Sequence, residues 1–161
     1  MDEVDGLCAV MDEEARVCGT LAGVLRDEQV AVVALRPQAI LACLERHRLL
    51  HDELSRLSTR RRALVEEVAR ARGARAASAT AILPLLPPDP RERLRARVRR
   101  LRDALLEARR VERQNTLLVS TGLDTVTEIL SALRALVPGA RYGAYAQLAP
   151  ATGGEGLDRH V

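Results

Sequence analysis

The stretch of residues 89–137 constrains the fold more than any other part of the chain, because its apolar residues recur every three or four positions. This spacing places them along one face of an α-helix. Asp89 suits the N-cap, Pro90 the first helical position and Glu92 a capping box, and a Pro-Gly pair follows the last apolar residue. At about 1.5 Å per residue, this helix would be roughly 70 Å long. A helix of this length predicts other helices that pack against it.

The composition favours helix-on-helix packing in the rest of the chain. Hydrophobic residues make up 47% of the sequence but aromatic residues only 1%, so a core must consist of Leu, Val, Ala and Ile. Two amphipathic segments precede the long helix, with Leu35 and Leu44 on their apolar stripes, and a tight reversal at Arg36 and Pro37 separates them. The three predicted helices span about residues 5–35, 38–72 and 90–136.

The predicted fold class is therefore all-α: an elongated antiparallel bundle of three long helices over residues 1–137. Residues 73–89 are rich in small residues and then in proline, which predicts a crossover linker whose proline part is not helical. Residues 138–161 contain prolines, glycines and few large apolar residues, without periodicity. This composition predicts a flexible C-terminal tail.

The charges are distributed unevenly along the chain. Residues 1–35 hold eight acids and two arginines, residues 36–75 five acids and ten arginines, and residues 91–113 four acids and ten arginines. We expect the acidic first helix to neutralise the two basic ones, with Glu14 and Glu28 each paired with an arginine. No aromatic residue stands among the arginines for base stacking, so we predict no nucleic-acid partner.

The cysteines and histidines suggest a metal site that one helix alone does not support. Cys8, Cys18 and Cys43 show no CxxC spacing, so we expect small core residues in a reducing compartment. Cys43, His47 and His51 lie four residues apart, but a single helix does not wrap three ligands around an ion. The segment after His47 also lacks the small residue expected beside a phosphate-accepting histidine. We therefore predict no metal and no other cofactor.

The sequence contains no arrangement typical of an enzyme or a membrane protein. No nucleophile has a neighbouring base, and no glycine loop is suited to a phosphate. The N-terminus resembles no signal peptide, and no 18 apolar residues run together. We therefore expect a non-enzymatic cytoplasmic protein without membrane insertion.

The third predicted helix is longer than the other two, so its last part, from Asn115 to Leu136, is expected to extend past them. An apolar helical face without an intramolecular cover indicates a partner site or a dimer seam. Gly122 and the run from Thr125 to Thr127 weaken a helix, so the sequence leaves open whether the third helix is continuous here or kinks or restarts near Thr121. The candidate binding residues are Asn115, Leu117, Leu118, Leu123, Val126, Ile129, Leu130 and Leu133.

Three segments resemble the FlgN-type flagellar export chaperones. RVERQNTLLVSTGLDTVTEILSAL, residues 110–133, and YGAYAQ, residues 142–147, are similar to that family's last helix and to its tail element. Residues 27–54 are similar to the family's first helix turning into the second. Ala146 stands where the family has glycine.

The resemblance implies a cytoplasmic chaperone that binds the C-terminal segments of hook-associated proteins and delivers them to the flagellar export gate or ATPase complex. The eight candidate residues of the third helix would then bind the client. By their match to the tail element, Tyr142, Gly143 and Gln147, together with Tyr145, become candidates for contact with the export gate. The alternative is a coiled-coil adaptor or homodimeric structural protein that uses the same apolar face.

Overall fold

The structure, a computed structural model, describes residues 3–75, 78–136, 141–142 and 148–149. The chain divides into two compact units, residues 1–118 and residues 119–161. The described elements are α1 (Glu3–Val33), α2 (Pro37–Arg70), α3 (Ala79–Ile82), a 3₁₀ helix (Leu83–Leu85), α4 (Pro88–Leu136), β1 (Arg141–Tyr142) and β2 (Leu148–Ala149). The prediction of three long helices is confirmed, and their bounds lie within two residues of those expected.

Short helical segments occur in the linker, and two short strands occur in the tail. Residues 73–89 include α3, which begins after Ser78, whose hydroxyl accepts a hydrogen bond from the Ala81 amide at 3.3 Å. The two strands, each two residues long, pair antiparallel, with Tyr142 opposite Leu148. The rest of the predicted flexible tail lies outside the described residues.

The long helix begins earlier than its capping residues indicate. The Arg91 amide donates to the Pro87 carbonyl at 3.0 Å, so the helix starts at Pro88 and the predicted N-cap, Asp89, lies inside its first turn. Proline is tolerated there because the first amides of a helix have no partner within it. The Arg91 guanidinium donates to the carbonyls of Leu83 and Leu86 at 2.7–3.1 Å and so fixes the linker against the helix start.

A Schellman motif forms the reversal between α1 and α2, as the position of Pro37 predicts. The Arg36 amide donates to the Ala31 carbonyl and the Leu35 amide to the Val32 carbonyl. Leu35 occupies the left-handed position, with φ 51°, where glycine is the usual residue. The turn exposes 84% of Leu35, so the prediction that this residue belongs to the buried stripe is wrong.

Ion pairs in the first unit define the directions of the helices. Pairs between α1 and α2, or the turn that directly follows α2, occur in opposite order along the two helices, which makes them antiparallel: Glu3–Arg72 at 3.6 Å, Glu14–Arg61 at 2.7 Å and Asp27–Arg46 at 3.6 Å. Pairs between α1 and α4 occur in the same order, which makes these helices parallel: Asp5–Arg93 at 2.7 Å, Asp12–Arg97 at 3.2 Å and Arg26–Glu107. The predicted neutralisation of the basic helices by the acidic one is confirmed.

The core of the first unit lies where α1, the end of α2, the linker and the start of α4 meet. Leu7, Val68, Ile82 and Leu94 are fully buried there. A smaller cluster, which includes Leu21, Leu25, Ala108 and Val111, continues along α1 and α4. The first half of α2 is less buried than its stripe predicts. Leu44, for example, is 46% exposed.

Glu107 links α1 to α4 and gives the stability a pH dependence. Hydrogen bonds from Arg110, together with the ion pair to Arg26, lower the pKa of Glu107 from 4.5 to about 2. The unfolded chain therefore binds more protons between these values, so this stabilisation is complete above about pH 4.5 and is lost as the pH falls towards 2. We expect Glu107→Gln to lower the Tm at pH 7 but not at pH 2. Thermal unfolding followed by circular dichroism at both pH values measures the difference, and an equal difference at both would contradict this assignment.

Candidate functional site

The second half of α4 exposes a series of apolar side chains. From Thr116 to Ala135 every residue is exposed except Leu118, which is half-buried. The exposed fractions of the large apolar side chains range from 38% for Leu130 to 67% for Leu117. We call the six of these residues that lie in the second unit the apolar face of α4: Val119, Leu123, Val126, Ile129, Leu130 and Leu133. Leu117 and Leu118 end the first unit, and Leu117 lies on the other side of the helix from Val119, because two residues correspond to about 200° of helical rotation.

The spacing within this face is that of a coiled-coil seam. Val119, Leu123, Val126, Leu130 and Leu133 follow one another at alternating steps of four and three residues. These are the a and d positions of a heptad, which meet a second helix by knobs-into-holes packing. The face is therefore shaped to receive a helix with its own apolar stripe.

The helix continues through the segment around Gly122, where the sequence left a kink or a restart open. α4 runs uninterrupted from Pro88 to Leu136, and Gly122 lies within it. The hydroxyls of Thr125, Thr127 and Ser131 donate to the carbonyls four residues earlier at 2.8–3.0 Å. These local bonds satisfy the hydroxyl groups within α4 itself. The helix therefore does not restart near Thr121, and the seam is continuous.

Asn115 differs from the other candidate binding residues because it is buried. Its side-chain amide donates to the Leu25 carbonyl at 2.8 Å and to a Glu28 carboxylate oxygen at 3.1 Å. These contacts attach α4 to α1 and leave 8% of Asn115 exposed. The prediction that Glu28 pairs with an arginine is wrong, since an amide on α4 is its partner. The matching prediction for Glu14 is confirmed by its ion pair with Arg61.

The candidate residues of the tail are described only in part. Tyr142 belongs to β1 and is paired through its backbone with Leu148. Gly143, Tyr145 and Gln147 lie outside the described residues. The structure therefore adds a local strand pairing at Tyr142 that the sequence did not predict.

Comparison with known protein families decides the identity of the fold. The family model described as FlgN protein matches residues 1–150 of the chain, which is nearly its whole length. The chain belongs to the FlgN family. Members of this family are chaperones of flagellum assembly, not enzymes, and they are soluble cytoplasmic proteins that bind hook-associated proteins. Searches of curated proteins and of solved structures gave no match.

The apolar face also makes α4 the one helix among the described residues that is long and apolar enough to cross a membrane. Two carboxylates, Asp124 and Glu128, interrupt its apolar segment. A charge at the centre of a bilayer costs several kcal/mol. Together with the FlgN match, these acids favour a protein-binding face over a membrane span.

Two exposed apolar features lie outside the set of candidate site residues. Val119 completes the seam of this FlgN chain, although it was not among the candidate site residues. The end of α1 and the start of α2 expose Val30, Val33, Leu35 and Leu41 by 66–84%. The helical period placed Leu35 on a covered stripe, and the position of the turn shows that it is in solvent.

The three cysteines confirm the prediction of small core residues. Cys8, Cys18 and Cys43 are free and buried. Burial raises the pKa of the Cys18 thiol to about 11 and also raises that of Cys8. Both thiols therefore stay protonated and unreactive at neutral pH.

Proposed function

We propose that this FlgN-family chain is a cytoplasmic export chaperone that holds hook-associated proteins, the proteins of the hook-filament junction, on the apolar face of α4. It then delivers them to the flagellar export gate or its ATPase complex. The observation that supports this most strongly is the uninterrupted and exposed heptad seam. The FlgN match adds the class of client.

The chemistry of the face indicates the kind of segment it binds. A client segment that forms a coiled-coil helix on assembly carries an apolar stripe of the same period, and that stripe must be covered before export. Burial of each large apolar side chain contributes about 1.5–3 kcal/mol before the cost of ordering the segment. Five seam positions therefore suffice for a reversible complex with the C-terminal segment of a hook-associated protein.

Asn115 is proposed to have a different role from the other candidate residues. Its bonds to Leu25 and Glu28 fix the position along α4 beyond which the side chains are exposed. Leu118 and the residues from Leu123 to Leu133 form the proposed client contact, whereas Leu117 lies on the other side of the helix from them. Asn115 then acts by positioning the helix that carries the contact.

The tail is proposed to contact the export gate. Tyr142, Gly143, Tyr145 and Gln147 belong to the element that is similar to the FlgN tail. Support for the separate role is that these residues follow the end of α4 in the sequence and are not part of the proposed client contact. Tyrosine is a frequent anchor in protein interfaces.

A coiled-coil adaptor or homodimer is the second candidate function, because a heptad seam also fits a second copy of the same helix. The two functions differ in what occupies the apolar face in solution. Sedimentation equilibrium at several concentrations measures self-association directly.

The test of the proposal is a binding assay with two forms of the protein. The full-length chain and a form truncated after Val137 are incubated with C-terminal segments of the hook-filament junction proteins from the same genome. We expect both forms to bind with affinities that agree within about threefold, which is less than 1 kcal/mol. Binding by the full-length chain alone would move the client site into the tail. No binding by either form, together with a stable homodimer, would favour the adaptor.

A further inference from the structure

We propose that His47, His51 and Glu112 form a binding site for a divalent transition-metal ion, such as Zn²⁺ or Ni²⁺, between α2 and α4. One metal-binding atom from each of the three side chains lies within 4.8 Å of the others. The two histidine rings are 5.2 Å apart between their centroids. This inference does not depend on the proposed chaperone function.

Glu112 supplies a third ligand from a second helix, so the three ligands need not all come from α2. His47 and His51 are one helical turn apart on α2, so both imidazoles point to the same side. Glu112 approaches them from α4, so the ligands converge from two helices. Cys43, one turn before His47, is buried and is not a member of this cluster.

The geometry requires a small adjustment to hold an ion. In a tetrahedral site with metal–ligand distances near 2.0–2.2 Å, neighbouring ligand atoms are about 3.4 Å apart. The side chains must therefore close by up to about 1.4 Å. His51 and Glu112 are exposed, so rotation about their side-chain bonds is not blocked by packing. The fourth position would be open to water.

The ligand set selects the class of metal. Two imidazoles and a carboxylate suit Zn²⁺, Ni²⁺ and Cu²⁺ better than Ca²⁺ or Mg²⁺, which prefer oxygen ligands alone. The two arginines on either side of His47 in the sequence are already paired with acids. Arg48 contacts Glu45 at 2.8 Å and Asp52 at 3.3 Å, and Arg46 contacts Asp27 at 3.6 Å. These pairs reduce the repulsion of an incoming cation.

The experiment is a titration of untagged, metal-free protein with ZnCl₂ by isothermal titration calorimetry. We expect one ion per chain, and a Tm about 5–10 °C higher at a hundredfold excess of free Zn²⁺ over its Kd. Because the ion joins two helices, His51→Ala and Glu112→Gln should each raise the Kd at least tenfold. Both residues are exposed, and far-UV circular dichroism confirms that the variants fold.

Matched controls distinguish this site from the other ligands in the chain. His160→Ala removes the third histidine, and Glu128→Gln removes an exposed carboxylate of α4. Neither change should alter the Kd. The absorption spectrum of the Co²⁺ complex should lack the charge-transfer band of a thiolate ligand. The proposal is overturned by the absence of heat, by binding that survives His51→Ala, by loss of binding in His160→Ala, or by a thiolate band.

Discussion

Replacing Leu130 by aspartate is expected to weaken the binding of a hook-associated C-terminal segment at least 100-fold. Leu130 lies within the seam between Val126 and Leu133, so a helix bound there covers it. The change removes about 1.5–3 kcal/mol of apolar burial and adds the cost of a carboxylate without a partner in the interface. A total of about 3 kcal/mol corresponds to a factor of more than 100 in Kd. Fluorescence anisotropy with a labelled client segment measures this factor.

Two control variants make this test specific. Thr121→Asp places the same charge on the opposite side of the same exposed helix, and it should leave client binding unchanged because that side faces away from the seam. Tyr142→Ala should also leave client binding unchanged but lower export of the client in cells. A strong loss of binding with Thr121→Asp would indicate damage to the helix. Loss of client binding with Tyr142→Ala, while Leu130→Asp binds normally, would reverse the proposed roles of helix and tail.

The helices could be predicted closely because their signal is local. The heptad period, the proline at position 37 and the composition of the linker each act within a few residues. The predicted N-cap at Asp89 was wrong by two residues because three prolines lie close together and each is compatible with a helix start. Only the hydrogen bond from the Arg91 amide to the Pro87 carbonyl identifies Pro88 as the proline that begins α4.

Side-chain burial and contacts that depend on neighbouring elements could not be predicted from the sequence of one segment. The period assigned Leu35 and Leu44 to covered stripes, but the turn geometry and the limited contact of early α2 leave them exposed. In the same way, Asn115 falls on the apolar period of α4, yet its amide is buried against α1. The metal cluster needs Glu112, which lies 61 residues after His51 in the sequence.

The candidate site could be predicted from the sequence more fully than these details, because an exposed face does not depend on contacts with other parts of the same chain. The seam from Val119 to Leu133 follows from spacing alone, and the structure adds that α4 is unbroken and that these side chains are exposed. The spacing does not identify the molecule that binds the seam, since a client helix and a second copy of the chain present the same apolar stripe. The choice between them therefore depends on the FlgN match and on the binding assay.

The largest expected effect on stability is at the buried ion pair between Glu14 and Arg61. Arg61 donates through Nε to one Glu14 oxygen at 2.7 Å and through Nη2 to the other at 3.4 Å. The Glu14 side chain is only 5% exposed, whereas Arg61 is 23% exposed. Arg61→Met leaves the carboxylate buried without its partner. We expect a loss of about 3 kcal/mol in the free energy of unfolding, the lower end of the range for broken buried pairs, because Arg61 is partly solvated.

The double variant Glu14→Leu with Arg61→Met distinguishes the net contribution of the ion pair to stability from the cost of burying an unpaired charge. Attraction within a buried pair is largely offset by its desolvation, so an apolar replacement of similar size should restore stability to within about 1 kcal/mol of wild type. Urea unfolding of the wild type, both single variants and the double variant measures the coupling. If the double variant were as unstable as Arg61→Met, the pair itself would stabilise the fold. If both single variants cost less than about 1 kcal/mol, water would reach Glu14 and the pair would behave like a surface ion pair.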